Sequence, residues 1–237
     1  MSKFWEQDLE VGYYDKLLTR SLKRSRGFQP NWHRLTLKYI EPHLTIGKQH
    51  LDYACGPGTL IGRYSKASSL GVDISSSQIK YAIENYKSDF LSLSEFDFKK
   101  YKNRFDIVTI VGLFEFLDTN EIYQLMNKIS FMMKKNSEII ITTPNFTMLF
   151  RFLMYSSILL GKKNYSNIYK SKFKKNSLHE VLKELDDFEI IKTDKILNFG
   201  LFLTIFSTKL GHRVEDLIYK ITDRNFGLLL VSHLIKK

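Results

Sequence analysis

A chain of 237 residues, 43% of them hydrophobic, is long enough for one domain that buries roughly 70% or more of its unfolded surface. That excludes a disordered tail or a small disulfide-stapled scaffold. Its lone cysteine, Cys55, cannot form an internal disulfide and suits a reducing cytosol. Met1–Glu10 is polar and acidic rather than signal-like, and no apolar run reaches the about 20 residues of a membrane span. The expectation is a cytoplasmic protein. The formal net charge of +11 leaves an anionic membrane surface open as a peripheral contact, and nucleic acid as a less favoured one.

In chain order, the first predicted element is a helix over Trp32–Tyr39, capped near Asn31; Trp32 and His33 read as one face of it. Leu51-Asp52-Tyr53-Ala54-Cys55-Gly56-Pro57-Gly58-Thr59 then runs from an apolar strand through an acidic end into a glycine turn, with a helix opening at Thr59 or Leu60. Leu70-Gly71-Val72-Asp73-Ile74-Ser75 supplies a second acidic strand end, about a strand plus a helix downstream, where a carboxylate can accept both ribose hydroxyls. Together the two segments read as the start of a nucleotide-binding βαβ unit. The departures decide which nucleotide. Ile61 stands where a dinucleotide fingerprint needs its third glycine, Pro57 removes an N–H donor, Asp52 adds negative charge, and no lysine closes the loop. A ligand with a ribose and an ammonium but no phosphate fits better, and S-adenosylmethionine is such a ligand.

Phe90–Phe98 reads as a third strand-like segment with an acidic end, Asp97-Phe98, suited to an adenine amino group. Phe105–Val111 is a continuous apolar strand of the buried parallel kind, stopped by Gly112, and Glu138–Thr143 is another, closed by Pro144. Between them Ile122, Leu125, Met126, Ile129 and Met133 recur at helical spacing behind a Thr119 cap. Phe146–Leu160 is apolar apart from Arg151 and a few Ser and Thr. Ile196–Thr208 carries no charge. Between these lie Lys162, Lys163, Lys170, Lys172, Lys174 and Lys175 without an intervening acid: either a phosphate or anionic-lipid contact or a solvated loop. A helix over Ser177–Leu185, a strand over Phe188–Ile196 and a final strand over Gly227–Ile235 complete the chain. Strands alternating with helices imply a doubly wound parallel sheet, with the ligand at the carboxyl ends of its strands.

The ordered set L-D-x-x-C-G-P-G, G-V-D-I-S, E-F-D-F, F-D-I-V, L-F-E-F-L and I-I-I-T-T-P-N resembles class I S-adenosylmethionine-dependent methyltransferases. The resemblance runs from about Gly12 to the C-terminus, with its specific motifs between residues 51 and 145. It implies an α/β, Rossmann-like, doubly wound and mostly parallel seven-stranded sheet with helices on both faces. The final strand is expected to be antiparallel and at the edge. Within one domain it implies an N-terminal helical lid over residues 1–48, a cofactor core over 49–145, and helical cap insertions at 146–176 and 197–224. Residues matching Asp52, Ala54, Gly56 and Gly58 line the methionine half of the cofactor in that family. The match to Asp73 holds the ribose, those to Ile74 and Gln78 flank the adenine, and those to Asp97 and Phe98 bind its edge; Gly112 ends the fourth strand beside them. By the same resemblance Tyr14 closes over the methionine end and Arg34 pairs with its carboxylate. The reaction product is S-adenosylhomocysteine.

Methyl transfer from a sulfonium is an in-line displacement governed by positioning, and a base is required only where the acceptor must lose a proton. His179, Glu115 and His33 are available, but spacing ties none of them to the site, so no catalytic residue is assigned. No His, Cys or Asp cluster has metal-ligand spacing. Val111-Gly112-Leu113-Phe114 differs from the N/D-P-P-Y/F segment of enzymes that methylate base amines. Thr142-Thr143-Pro144-Asn145, with Ser171-Lys172-Phe173 ahead of the next helix, is loosely similar to quinone-biosynthesis O-methyltransferases. A small-molecule hydroxyl acceptor with hydrophobic surface ranks first. An RNA-directed enzyme using the lysine stretch and a catalytically silent cofactor-binding subunit are the alternatives, and the apolar insertions leave a homodimer contact open.

Overall fold

The computed structural model describes residues 10–24, 26–148, 150–152, 155 and 177–237. Seven strands form one sheet: β1 (Gln49–Tyr53), β2 (Ser68–Asp73), β3 (Asp89–Ser92), β4 (Phe105–Val111), β5 (Met133–Pro144), β6 (Phe188–Ile196) and β7 (Leu229–Lys236). Their order is β3-β2-β1-β4-β5-β7-β6, parallel from β3 through β5. The apolar runs of β4 and β5 occupy the middle, where both faces are covered: Ile107, Val108, Ile110, Ile139, Ile140 and Ile141 are fully buried.

β7 pairs antiparallel as expected, but with both β5 and β6, so it lies inside the sheet and β6 is the edge. Composition explains the difference. β7 carries Leu229, Val231 and Leu234 fully inside, whereas β6 interrupts its apolar residues with Glu189, Lys192, Asp194 and Lys195, which protect an unpaired edge. β3 is also shorter than the strand-like segment Phe90–Phe98 suggests. Its partner β2 ends at Asp73, opposite Ser92, and the chain beyond has no ladder to join. It turns instead, and Asp97 caps a short 3-10 helix at Phe98–Tyr101.

Helices α1 (Tyr13–Arg24), α2 (Phe28–Ile40), α3 (Thr59–Tyr64), α4 (Ser76–Asn85), α5 (Thr119–Met132), α6 (Ser177–Lys183), α7 (Gly200–Leu203) and α8 (Thr208–Thr222) surround the sheet. α5 is capped one residue before the expected Thr119. Asp118 accepts from the Glu121 N–H at 2.9 Å and Glu121 accepts in return from the Asp118 N–H at 2.8 Å, a closed capping box. α2 begins at Phe28 rather than Trp32, because Pro30 is tolerated in a first turn. Asn31 is therefore internal to α2, where it donates to the Gly27 carbonyl at 2.7 Å and to Thr208 at 3.2 Å.

Two contacts hold the N-terminal helices over the carboxyl end of the sheet. Asp15 of α1 takes Arg63 of α3 in a bidentate pair at 2.6 and 3.0 Å, with Tyr81 and Tyr86 also donating to it. Burial alone would raise the Asp15 carboxyl, but Arg63 and the two tyrosines outweigh it and hold the group below its ordinary value. The second contact is Gln78 of α4, which accepts from the Gly12 N–H at 2.9 Å and donates to the Glu10 carbonyl at 3.3 Å. α7 and α8 fill the expected 197–224 insertion. They pack behind α2 through Thr208, His212 and Phe202, and contribute no side chain to the cavity described below.

Gly58 opens α3 at φ +72, and a Cβ there would lie 2.6 Å from the Phe90 ring and 2.9 Å from Ala82. The left-handed backbone and the collision add, so Gly58→Ala is expected to destabilise the fold by roughly 2 to 4 kcal/mol. A urea midpoint lowered at unchanged slope would register it.

Candidate functional site

The carboxyl ends of β1, β2 and β4 open into a cavity of about 540 Å3, closed above by α1 and α2; that is a small-molecule size. The β1–β4 register sets Asp52 beside Thr109, and Asp52 Oδ1 accepts the Thr109 hydroxyl at 2.7 Å. With that proton directed at Asp52, the Thr109 oxygen accepts Nε2–H of buried His50 at 2.8 Å. Nδ1 of His50 then accepts from the Ser69 hydroxyl at 2.9 Å. The relay fixes the Asp52 carboxylate from behind. Burial pushes Asp52 up to about 7, resisted by the Thr109 hydrogen bond and reinforced by the charge of Asp73.

Asp73 spans the glycine turn and the start of α4. Its Oδ2 accepts from the Gly56 N–H at 2.7 Å and its Oδ1 from the Ser75 N–H at 2.8 Å. Burial raises this carboxyl as well, against the N–H groups of Ser75, Gly56 and Ile74. Ala54, between the two acids, is held at φ 65, a conformation uncommon outside glycine, by N–H donation to the Val72 carbonyl at 2.7 Å. On the first turn of α3, Thr59 Oγ1 is buried against the cavity and has no hydrogen-bond partner among the described residues.

Toward α2 the lining changes character. Gln29, Trp32, His33, Thr36 and Leu37 fall on one helical face and join Phe28, Phe116, Phe150 and Leu229 around an apolar chamber. His33 meets the Tyr14 ring edge-on at 4.6 Å, and burial pulls it down to about 4, so it is neutral at pH 7. Glu115, on the 3-10 turn Phe114–Phe116 that follows β4, is 5% exposed. Burial pushes it up to about 7, with Thr143 donating to it at 3.4 Å in opposition.

Of the ten residues expected at the cofactor, the structure brings Asp52, Ala54, Asp73, Ile74 and Gly112 to the cavity wall. The other five stand elsewhere. Gly56 serves through its backbone, held by Asp73, and Gly58 is packed under Phe90. Gln78 is committed to the N-terminal segment. Asp97 is exposed and accepts the Lys99 N–H at 3.1 Å, while Phe98 leans on Phe131 and Lys128. Tyr14 lines the cavity as expected of a lid residue, but Arg34 is on the opposite side of α2, near Tyr64 and His212. Trp32, His33 and Glu115 line it as well, although sequence spacing assigned them no role there. Thr59 is the buried group that spacing did not single out; its place after two turn glycines was the available signal. The His179 side chain and the Lys162–Lys175 stretch lie outside the described residues.

Two buried carboxylates with raised affinity for a proton, and no Lys or Arg among the described lining residues, make a site for a cation rather than a phosphate. An ammonium and a ribose would suit Asp52 and Asp73, and the Thr59 hydroxyl, without a partner among the described residues, would suit a further polar group. The residues therefore fit S-adenosylmethionine. A family profile described as a methyltransferase domain matches residues 44–186, more than half of the chain. The chain belongs to that family and is an S-adenosylmethionine-dependent methyltransferase.

Solved structures share the fold. A SAM-dependent methyltransferase from Archaeoglobus fulgidus is 21% identical at a TM-score of 0.56, over 87% of this chain and 94% of that one. Magnesium protoporphyrin IX methyltransferase from Synechocystis PCC 6803, with bound SAH, is 14% identical at 0.57, over 86% and 84%. The cyclopropane synthase MmaA2 of Mycobacterium tuberculosis is 12% identical at 0.60, over 100% and 97%. A search of curated protein sequences returned no match. Among the described residues, no helix is long and apolar enough to cross a membrane.

Proposed function

We propose that this enzyme methylates a hydroxyl group on a small, partly hydrophobic acceptor. The observation that carries the reading is the apolar, aromatic chamber beside the two carboxylates, with Glu115 as a buried group whose proton affinity is tuned near neutrality. S-adenosylmethionine, when bound, supplies an electrophilic methyl on a sulfonium that needs no activation. Asp52, oriented by Thr109 and His50, holds the ammonium; Asp73 accepts the ribose hydroxyls while bracing the Gly56 turn; Ile74 covers the base. Trp32, Phe28 and Phe150 exclude water and align the acceptor. Glu115 removes the hydroxyl proton as the oxygen attacks.

Charge linkage gives the test. Asp52 is half protonated near pH 7, and a bound ammonium favours its ionised form, so cofactor affinity is full above pH 7 and falls as pH drops through it. Calorimetry with S-adenosylhomocysteine between pH 6 and pH 8 is expected to show 1:1 binding that releases protons at the acid end. Preferential binding of a dinucleotide, with no heat from the sulfur compound, would overturn the assignment of these residues. Turnover of labelled cofactor across hydroxyl-bearing extracts separates a working enzyme from a silent subunit, which gives none.

A further inference from the structure

At the opposite end of the sheet from the cofactor cavity, three side chains from distant parts of the sequence meet. His43 follows α2 on the short 3-10 turn Glu41–His43, Glu138 lies on β5, and His233 lies on β7. Glu138 is six positions before Pro144 on the same strand, roughly 20 Å from the cavity wall. Nδ1 of His43 is 2.8 Å from Glu138 Oε1, and Nδ1 of His233 is 3.2 Å from the same oxygen. The three donor atoms all lie within 4.8 Å of one another. The two rings are tilted together with centroids 4.9 Å apart.

The tautomer of His233 is set from behind. Asp194 is flanked by Lys192 at 3.0 Å and Arg224 at 3.5 Å, which keep it ionised, so the hydrogen bond between Tyr39 and Asp194 uses the phenol proton. The Tyr39 oxygen can then only accept from Nε2 of His233 at 3.1 Å, which places the ring proton on Nε2. With Nε2 engaged by Tyr39, Nδ1 is the ring nitrogen that His233 turns toward the Glu138 carboxylate. His233 is 4% exposed, and Lys48 stands 3.8 Å from the other carboxylate oxygen.

We propose that His43, Glu138 and His233 bind a divalent transition-metal ion of the zinc class. Two imidazole nitrogens and one carboxylate oxygen are a ligand set for that ion, and donors at zinc bond lengths on a tetrahedral centre stand about 3.4 Å apart, close to the 2.8 and 3.2 Å that separate the two nitrogens from the carboxylate oxygen. The Tyr39–Asp194 pair behind His233 is the outer-shell arrangement that orients a ligating imidazole. His43, at 28% side-chain exposure, leaves the fourth position open to water. The ion ties the end of α2, whose other face lines the acceptor chamber, to two core strands, so its effect falls on stability and on the placement of α2 rather than on the methyl-transfer step.

The test uses the full chain after chelator treatment. Zinc titrated by calorimetry, with elemental analysis after dialysis, is expected to give one saturable ion per chain and a melting temperature that rises with free zinc. Cobalt(II) at the same site is expected to show the visible absorption of a tetrahedral centre. His43→Gln, at a partly exposed position, should abolish the saturable phase while S-adenosylhomocysteine affinity is unchanged. Tyr39→Phe should weaken zinc binding by about 10- to 100-fold. No saturable binding by the parent protein would overturn the proposal. Binding of the same stoichiometry and affinity in both His43→Gln and Glu138→Gln would overturn it equally, by placing the ion elsewhere.

Discussion

Glu115→Gln is expected to slow methyl transfer by about 10²- to 10⁴-fold while leaving cofactor affinity unchanged. The amide has the shape of the acid and can still accept the Thr143 hydroxyl, but it cannot take a proton from an attacking hydroxyl. In the parent enzyme turnover should rise with pH through about 7, as Glu115 becomes ionised, and level off above it; the variant should lose that limb. Stability offers an independent readout. A carboxyl raised in the folded state stabilises most below its ordinary value and loses that contribution as pH climbs toward the folded value, because the buried charge is then formed without a partner. The glutamine variant has no such charge, so at pH 8 it should melt above the parent. Labelled methyl transfer to the best extract fraction, run beside thermal denaturation from pH 5 to pH 8, checks both. Full activity in the variant would show that the acceptor's proton leaves by another route.

The convergence of Asp52 and Asp73 on one cavity was legible in the sequence because it is written in strand ends. Asp52 and Asp73 terminate apolar runs, and parallel strands in register must bring their ends together. The acceptor half was not legible. Glu115 is on a single 3-10 turn, which has no periodicity to reveal where its side chain points, and His33 and Trp32 share a helical face with ordinary core residues. Asp97 and Phe98 lie away from the cavity wall for a related reason. Phe90–Phe98 is strand-like in its apolar content, but composition cannot supply the neighbouring strand that a ladder requires, and β2 had already ended. The Gln78 amide ties down Gly12 and Glu10, 66 and 68 positions away, a tertiary contact that spacing does not reveal. The cluster of His43, Glu138 and His233 shows the limit most plainly, since linear spacing sees a ligand set only when one element carries it.

Asp73→Ala is expected to weaken S-adenosylhomocysteine binding by about 10- to 150-fold, the equivalent of roughly 1.5 to 3 kcal/mol for a charge-assisted pair of hydrogen bonds. Had the strand end faced solvent, the substitution would have spared the fold. The carboxylate is instead 9% exposed and accepts both the Gly56 and the Ser75 N–H, so its removal frees two donors and loosens the turn that shapes the cavity. A drop in melting temperature should therefore accompany the lost affinity. Asp73→Asn separates the two effects: it keeps an acceptor for one of the N–H groups, and its neutral amide cannot take two ribose hydroxyls with the strength of a carboxylate. The asparagine variant should recover part of the stability and little of the binding, measured by calorimetry well below its melting point. If instead both variants bound the cofactor as the parent does, Asp73 would be a brace for the glycine turn alone, and the ribose would have to be held from another wall of the cavity.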